Sequence, residues 1–433
     1  MGVFGPGGGP SVTIRLHTRI APFRLMLNPE LAAGEAYMDG TLTIEEGTLR
    51  DFLHICTHDP DAPHIHATPA ALDWLARPFR YLQQHNTLRR AKSNVAHHYD
   101  LSGKLYELFL DEDRQYSCAY FPDGDENLEE AQEKKKRHIA AKLLLECNMK
   151  VLDIGSGWGG LALSLAQMTG ADITGITLSE EQLKVARMRA EKTGLSDRTR
   201  FFLRDYRHEK AQYDRIVSVG MFEHVGAAHY GTYFKTLRNL LKPDGVALVH
   251  SIGRRGPPTG IHPWIGKYIF PGGYCPALSE VLAAVERSGL WVADIEVLRL
   301  HYAETLRHWH ERFLINRDKV RALYDERFCR MWEFYLLSCE IGFRNLDMMV
   351  FQIQLTRNQN AAPLSRDYIS QWEALFRDSQ TQDRGEQHVQ NHPFGNRRFG
   401  SRQEGREGRC RPRCDLRCLA YDHDGVADAA FRR

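Results

Sequence analysis

A chain of 433 residues with a formal net charge of +2, 26% charged and 42% hydrophobic side chains exceeds the roughly 250–300 residues at which a single core stops growing, so two domains are expected. The near-neutral balance excludes bulk attraction to nucleic acid, and no apolar run approaches the ~18 residues that span a bilayer. No apolar stretch follows a basic segment near the start, and "MGVFGP" has Pro6 where a myristoylation signal wants Ser or Thr, so a cytoplasmic location without a lipid anchor is expected.

Residues 1–90 combine a Gly/Pro-rich start with two strand-like pieces, "SVTIRLHT" and "GTLTIEEGTL", and a helical pattern over 70–84; they read as a small accessory domain. The texture changes near Asn94. A helix predicted over 128–146 leads into "MKVLDIG", after which "ADITGIT", "RFFLRD", "DRIVSVGM", "GVALVHSI", "ADIEVLRL" and "MVFQIQLTR" alternate with helical stretches. That alternation predicts an α/β fold with a mainly parallel sheet. The last run leaves little room for a crossover after the preceding apolar helix, which predicts an antiparallel edge strand. Residues 384–433 hold eleven Arg and no Lys and read as a disordered tail. Nine cysteines in no even framework read as free thiols, and the spacing of Cys410, Cys414 and Cys418 fits no common metal pattern; no metal site is predicted.

"VLDIGSGWGG" spells G-x-G-x-x-G at Gly155, Gly157 and Gly160, a weak signal shared by dinucleotide folds and by chance. Its context narrows the ligand. Asp153 precedes the turn, where a carboxylate suits an ammonium group better than a pyrophosphate, and a dinucleotide fold wants an acid about 20 residues on, where Thr177 stands. Thr177 and Gln182 are uncharged, and Asp205, Tyr206 and Arg207 follow the third strand of the series, where an aromatic or a carboxylate can flank an adenine. S-adenosylmethionine is favoured over NAD.

The motifs "NVAHHYDLSGKLYELFLDEDRQYSCAYF", "VLDIGSGWGGLALSLA", "ITGITLSEEQ", "DRIVSVGMFEHVG", "HSIGRRG", "WIGKYIFPGGY", "HYAETLRHW" and "CEIGFRN", in this order, together resemble the cyclopropane-fatty-acyl-phospholipid synthase family, relatives of the mycolic-acid cyclopropane synthases. The resemblance runs from about Glu35 to Arg357 and leaves out the tail. It implies a Rossmann-like class I methyltransferase domain over 91–383 behind a lipid-docking domain over 1–90. It also implies methyl transfer from S-adenosylmethionine to the cis double bond of a phospholipid acyl chain, then closure to a cyclopropane. A methylene- or methyl-branched product, or a silent lipid- or nucleoside-binding relative, are the alternatives.

In that family the base is a bicarbonate ion held by a Cys, a Glu, a His, a Tyr and a backbone Ile. The matching positions are Cys118, Glu223, His250, Tyr302 and Ile252. Tyr302 also offers an aromatic face to a carbocation. Cys339 matches the other family cysteine; it lies in an apolar helical run where burial raises a thiol pKa. The resemblance carries cofactor binding onto Tyr116, Ser117, Asp153, Gly155, Ser156, Gly157, Trp158, Gly159, Gly160, Thr177, Leu178, Gln182, Tyr206 and Arg207. Taken singly, each catalytic candidate has a plain reading: an inert loop thiol for Cys118, a helix cap for Glu223, packing for Tyr302 at a strand end.

His97 and His98 diverge by about 100° on a helix and do not readily share a metal, so they read as structural or cofactor-covering. The "EKKKRH" run at 133–138 reads as a solvated helix face, with a lipid headgroup site as the alternative. The resemblance implies an unsaturated membrane phospholipid, met at the inner membrane face, as partner, and allows a homodimer. The N-terminal domain and the 264–274 segment are the expected docking elements, against the plainer reading that both pack in a core.

Overall fold

The computed structural model describes residues 11–57 and 103–390. The expected 70–84 helix, the boundary at residue 90, His97, His98, Cys410, Cys414 and Cys418 lie outside the described residues. Residues 1–383 form one compact unit and 384–433 a second.

The chain starts with β1 (Thr13–Leu16), α1 (Ala21–Leu27), α2 (Pro29–Met38), β2 (Leu42–Glu46) and α3 (Leu49–Thr57). β1 and β2 pair antiparallel as a separate two-stranded sheet. After the gap come α4 (Gly103–Glu107) and α5 (Leu128–Lys142), then β3 (Lys150–Ile154), α6 (Gly160–Thr169), β4 (Asp172–Thr177), α7 (Glu180–Lys192), β5 (Thr199–Leu203) and β6 (Tyr213–Val219). The remainder is α8 (Tyr230–Leu240), β7 (Leu241–Arg254), α9 (Pro263–Tyr268), α10 (Leu278–Glu286), β8 (Trp291–Leu298), α11 (His301–Ile315), α12 (Arg317–Leu323), α13 (Glu326–Asn345), β9 (Met348–Thr356) and α14 (Asp367–Gln390).

Seven strands form one sheet in the order β5-β4-β3-β6-β7-β9-β8. The central strands are buried along most of their length, as parallel strands covered on both faces must be. The chain runs from β3 outward through β4 to β5 and then returns to place β6 on the other side of β3. This reversal opens a crevice beyond the carboxyl ends of β3 and β6. β9 is antiparallel to both β7 and β8, so the expected antiparallel strand is present but lies one place inside the edge. Its burial accounts for the position: nearly every residue of β9 is buried, whereas β8 is mostly exposed or half-buried and forms the edge.

Where the N-terminal segment meets the rest, Gly34 lies so close to the Trp264 ring that a Cβ would stand 2.5 Å from it, and Arg50 pairs with the buried Glu340 of α13. Trp264 is fully buried, and its Nε1 donates to Met38 Sδ at 3.1 Å. The tryptophan of the 264–274 segment is therefore core, not a surface anchor.

The "EKKKRH" run is not a solvated face. Lys135, Lys136 and His138 on α5 are buried, as is Lys142 one turn on. Most of these cations meet carboxylates from distant segments: Lys136 pairs with Asp113, Lys142 with Glu296, and His138 with both Glu296 and Glu373. A buried cation is tolerated where such partners exist. Residues 384–390, expected in the disordered tail, continue α14, with no proline before Pro393 to stop it.

Candidate active site

The glycine turn sits in the crevice at the end of β3. Backbone N–H groups of Gly155 and Ser156 both donate to Ile176 O, at 2.9 and 3.0 Å, which fixes the turn to the end of β4. Gly157 has φ +52° and nothing within 4 Å of where its Cβ would be, so the backbone there is open to a ligand at the N-terminus of α6. A Cβ on Gly160 would stand 2.6 Å from Asp113 Oδ2 and Gln115 Nε2; the 113–118 segment lies directly over the turn. Asp153 is buried, its Oδ2 has no hydrogen-bond partner, and burial pushes its carboxyl up to about 7. An unpartnered carboxylate oxygen at this point fits an ammonium group.

The cavity above the turn is lined by Tyr116, Ser117, Asp153, Gly155, Ser156, Gly157, Trp158, Gly160, Thr177, Leu178, Gln182, Tyr206 and Arg207. Gly159 is the one expected cofactor residue outside this lining. It has φ +82° at the N-cap of α6, and a Cβ would stand 2.9 Å from Phe201 and 3.0 Å from Ala186; it permits close packing of the turn on its neighbours. Thr177 Oγ1 donates to Gln182 Oε1 at 3.0 Å. Arg207 makes two bonds to Asp205, at 2.8 and 2.7 Å, so its guanidinium is committed. Arg114, Gln115, Gly220, Met221 and His224 also line the cavity and were not anticipated. Met221 and His224 flank Glu223 inside "MFEHVG", and that adjacency was the available signal.

Cys118, Glu223 and His250 adjoin lining residues of this cavity, Ser117, His224 and Val219. Cys118 follows Ser117; it is buried, its Sγ donates to Ala119 O at 3.2 Å, and burial pushes the thiol up to about 12. Ala119 N–H donates to Thr305 Oγ1 at 3.0 Å, joining this strip to α11, which carries Tyr302. Tyr302 thus lies in the first turn of a helix instead of at a strand end, because β8 stops at Leu298. Its ring meets Trp309 edge-on at 5.8 Å, and Tyr116 stacks on the same Trp309 at 5.1 Å. An aromatic wall therefore runs from the cofactor side to Tyr302.

Glu223 is buried just beyond β6; its Oε1 accepts Ile252 N–H at 2.7 Å while Oε2 has no partner. Burial pushes its carboxyl up to about 7. Ile252 spends its N–H on Glu223, and its carbonyl accepts Ser251 Oγ at 2.9 Å, so the backbone contact expected of it toward bicarbonate is already engaged. His250 pairs in register with Val219, the last residue of β6. Its Nδ1 faces Gln352 Nε2 at 3.1 Å, and burial lowers its pKa to about 3, so the ring is neutral. Cys339 packs against the buried cluster that holds Trp264, Tyr302 and Trp309, with its thiol pushed up to about 12 by burial. Cys118, Cys339 and His250 are thus neutral at pH 7, whereas Glu223 is poised between its two protonation states. Among the described residues no group of three or more His, Cys, Asp or Glu is placed to hold a metal ion.

With Thr177 where a dinucleotide fold needs an acid, the cavity takes a single nucleoside bearing an amino-acid tail. Fold and cavity together define an S-adenosylmethionine-dependent methyltransferase.

The family model described as mycolic acid cyclopropane synthetase matches residues 86–353. A probable fatty acid methyltransferase of Pseudomonas putida is 36% identical over 347 residues, covering 78% of this chain and 86% of the relative. Cyclopropane-fatty-acyl-phospholipid synthase of Escherichia coli is 43% identical over 260 residues, 60% of this chain and 66% of that protein. The solved structure of mycolic acid cyclopropane synthase CmaA1 complexed with SAH and CTAB superposes with a TM-score of 0.58 at 33% identity, over 61% of this chain and 97% of that one. The chain belongs to the mycolic acid cyclopropane synthetase family. No described helix is long and apolar enough to cross a membrane.

Proposed function

We propose that the protein transfers the methyl group of S-adenosylmethionine to the cis double bond of an unsaturated phospholipid acyl chain and closes the product to a cyclopropane. The observation that carries this reading is the chemical character of the rim: an aromatic wall from Tyr116 through Trp309 to Tyr302, beside His250 and Cys118, held neutral by burial, and Glu223, which burial leaves partly protonated near pH 7.

An alkene is a poor nucleophile, so catalysis must come largely from holding the methyl in line with it, worth about 7–11 kcal/mol when the geometry is good. The methyl carbon bonds to one alkene carbon as its bond to sulfur breaks, and the electron pair leaves with S-adenosylhomocysteine. The other alkene carbon becomes cationic. An aromatic face stabilises that charge, and a neutral thiol is less prone to trap it than a thiolate would be. Loss of a proton from the transferred methyl supplies the electron pair that closes the ring.

Cys118, His250, Tyr302 and a protonated Glu223 offer donors that suit a small oxyanion, and the unpartnered Glu223 Oε2 marks an unfilled hydrogen-bonding position. A bicarbonate bound by these side chains would supply the base. We further infer an accessory, lipid-docking N-terminal region, action at the inner membrane face and a homodimer, in keeping with an acceptor that lies in a bilayer.

The test is to incubate purified protein with S-adenosylmethionine carrying a labelled methyl group and vesicles of mono-unsaturated phospholipid, and to analyse the released acyl chains by mass spectrometry. A chain heavier by one CH₂ that has lost its alkene supports the cyclopropane. The same mass with an alkene retained means a methylene product, and addition of CH₂ plus two hydrogens means a methyl-branched one. No transfer despite cofactor binding sinks the reading.

A further inference from the structure

Lys135 is a fully buried cation that the mechanism does not use. Lys135 Nζ donates to Ser117 Oγ at 2.8 Å and to Gln115 Oε1 at 3.0 Å, and both of these residues line the cofactor cavity. The other buried basic residues of α5 pair with carboxylates, whereas these two partners of Lys135 are neutral. The nearby Asp111 acts on it through space and spends its oxygens on the backbone N–H groups of Gln115 and Asp113. A buried ammonium bonded to neutral groups is costly and adds little stability in return.

Its neighbours on the helix share one target. Gln132 Nε2 donates to Gln115 O and Ser117 O, at 3.3 and 3.1 Å, and Lys136 Nζ donates to Asp113 Oδ2 at 3.0 Å. Five hydrogen bonds from α5 therefore grip the segment from Asp113 to Ser117, which covers Gly160 and leads directly into Cys118. We propose that Lys135 is a positioning residue, setting the cofactor-facing side chains of Ser117 and Gln115 over the glycine turn so that the cofactor is held against the catalytic rim. Burial lowers its pKa to about 8, so it remains largely charged at neutral pH, where an ammonium gives stronger bonds than an amine.

The proposal rests on the cofactor assignment and can fail without it. Lys135→Met keeps an unbranched apolar stem, one atom shorter, and removes the charge with both hydrogen bonds. Expected are a dissociation constant for S-adenosylhomocysteine raised about tenfold or more by calorimetry, a KM for S-adenosylmethionine raised more than kcat falls, and a melting temperature equal to or above that of the parent. Lys134→Met, which breaks the more exposed pairs with Asp123 and Glu126, leaves the affinity unchanged. In a cycle with Ser117→Ala the two losses are less than additive, because both remove the same bond. If the Met variant does not fold, Lys135→Gln, which retains a donor, is read in the same way and falls between. Unchanged affinity in the folded Lys135 variants, or strict additivity with Ser117→Ala, overturns the proposal. Parent protein that binds no S-adenosylhomocysteine overturns the cofactor assignment instead.

Discussion

Glu223 accepts the backbone N–H of Ile252 with one oxygen, at 2.7 Å, and buries the other with no partner. The bond reaches from the loop after β6 to β7 and holds the carboxyl at the rim of the cofactor cavity, between the lining residues Met221 and His224. Its carboxyl, pushed up to about 7 by burial, spends part of its time protonated near neutral pH, when it can donate as well as accept.

Glu223→Gln keeps the acceptor for Ile252 and removes the titration. Turnover should fall by about 10²–10⁴-fold, the usual scale of a positioned acid or base, while S-adenosylhomocysteine binds within about twofold of the parent. Methyl transfer to phospholipid vesicles and calorimetry read the two quantities separately. Parent-like turnover would remove Glu223 from the chemistry.

Asp153 makes a different prediction, because its buried carboxyl also has an unpartnered oxygen and burial alone raises its pKa to about 7. A carboxyl with a raised folded pKa stabilises the fold least when charged, so its cost grows from the ordinary carboxylate range up to about pH 7 and is fully present above it. Asp153→Asn should raise the melting temperature of the cofactor-free protein at pH 8 by several degrees and leave it nearly unchanged at pH 4. The same variant should weaken S-adenosylmethionine about tenfold or more, since the ammonium of the ligand loses its counter-charge. A variant that is both less stable at pH 8 and unaltered in affinity would contradict both halves.

Much of this arrangement is legible along the chain. The strands from β3 to β7 read as short apolar runs because they are covered on both faces, and the glycine turn is contiguous, so its residues could be named from one motif. The position of β9 was not legible: whether an antiparallel strand ends a sheet or inserts between two others depends on pairing with β7, about a hundred residues earlier. The buried lysines were missed for a similar reason. A run of charges on a helix is normally solvated, and the partners that make burial tolerable, Asp113, Glu296 and Glu373, are 23 to 235 residues away. Arg114 and Gln115 were overlooked although they adjoin Tyr116, because nothing in their residue types marks a ligand; only the close approach of the segment to Gly160 does.

That approach can be tested directly. The Cβ of Gly160→Ala would stand 2.6 Å from both Asp113 Oδ2 and Gln115 Nε2, and Asp113 is held in place by Lys136 and Arg189. The methyl group must therefore displace the segment over the turn. S-adenosylhomocysteine affinity should fall about tenfold or more, whereas far-ultraviolet dichroism stays that of the parent because Gly160 is the first residue of α6 and alanine favours a helix. Unaltered binding would mean that the 113–118 segment does not set the shape of the cavity.

The last prediction concerns pH and the C-terminal helix. His138 on α5 lies between two carboxylates, with Nε2 at 2.7 Å from Glu296 on β8 and Nδ1 at 2.6 Å from Glu373 on α14. Lys142 of the same helix also pairs with Glu296, Asp294 and Arg366 complete the charges on the β8 and α14 sides, and Tyr120 stacks on the imidazole at 4.4 Å with His301 beyond it. Burial works against the imidazolium, but the bonds to the two carboxylates outweigh it, and the pKa is raised above its ordinary value of 6.5. A base with a raised folded pKa contributes stability that is fully present below 6.5 and is lost as pH rises through the folded value. Glu373→Gln removes one of the two carboxylates, so it should cost about 1.5–3 kcal/mol at pH 6, the scale of a bond to a charged group, and less at pH 9. Urea unfolding of parent and variant at the two pH values measures the difference. An equal cost at both would show that His138 is neutral throughout and that its bond to α14 carries no charge.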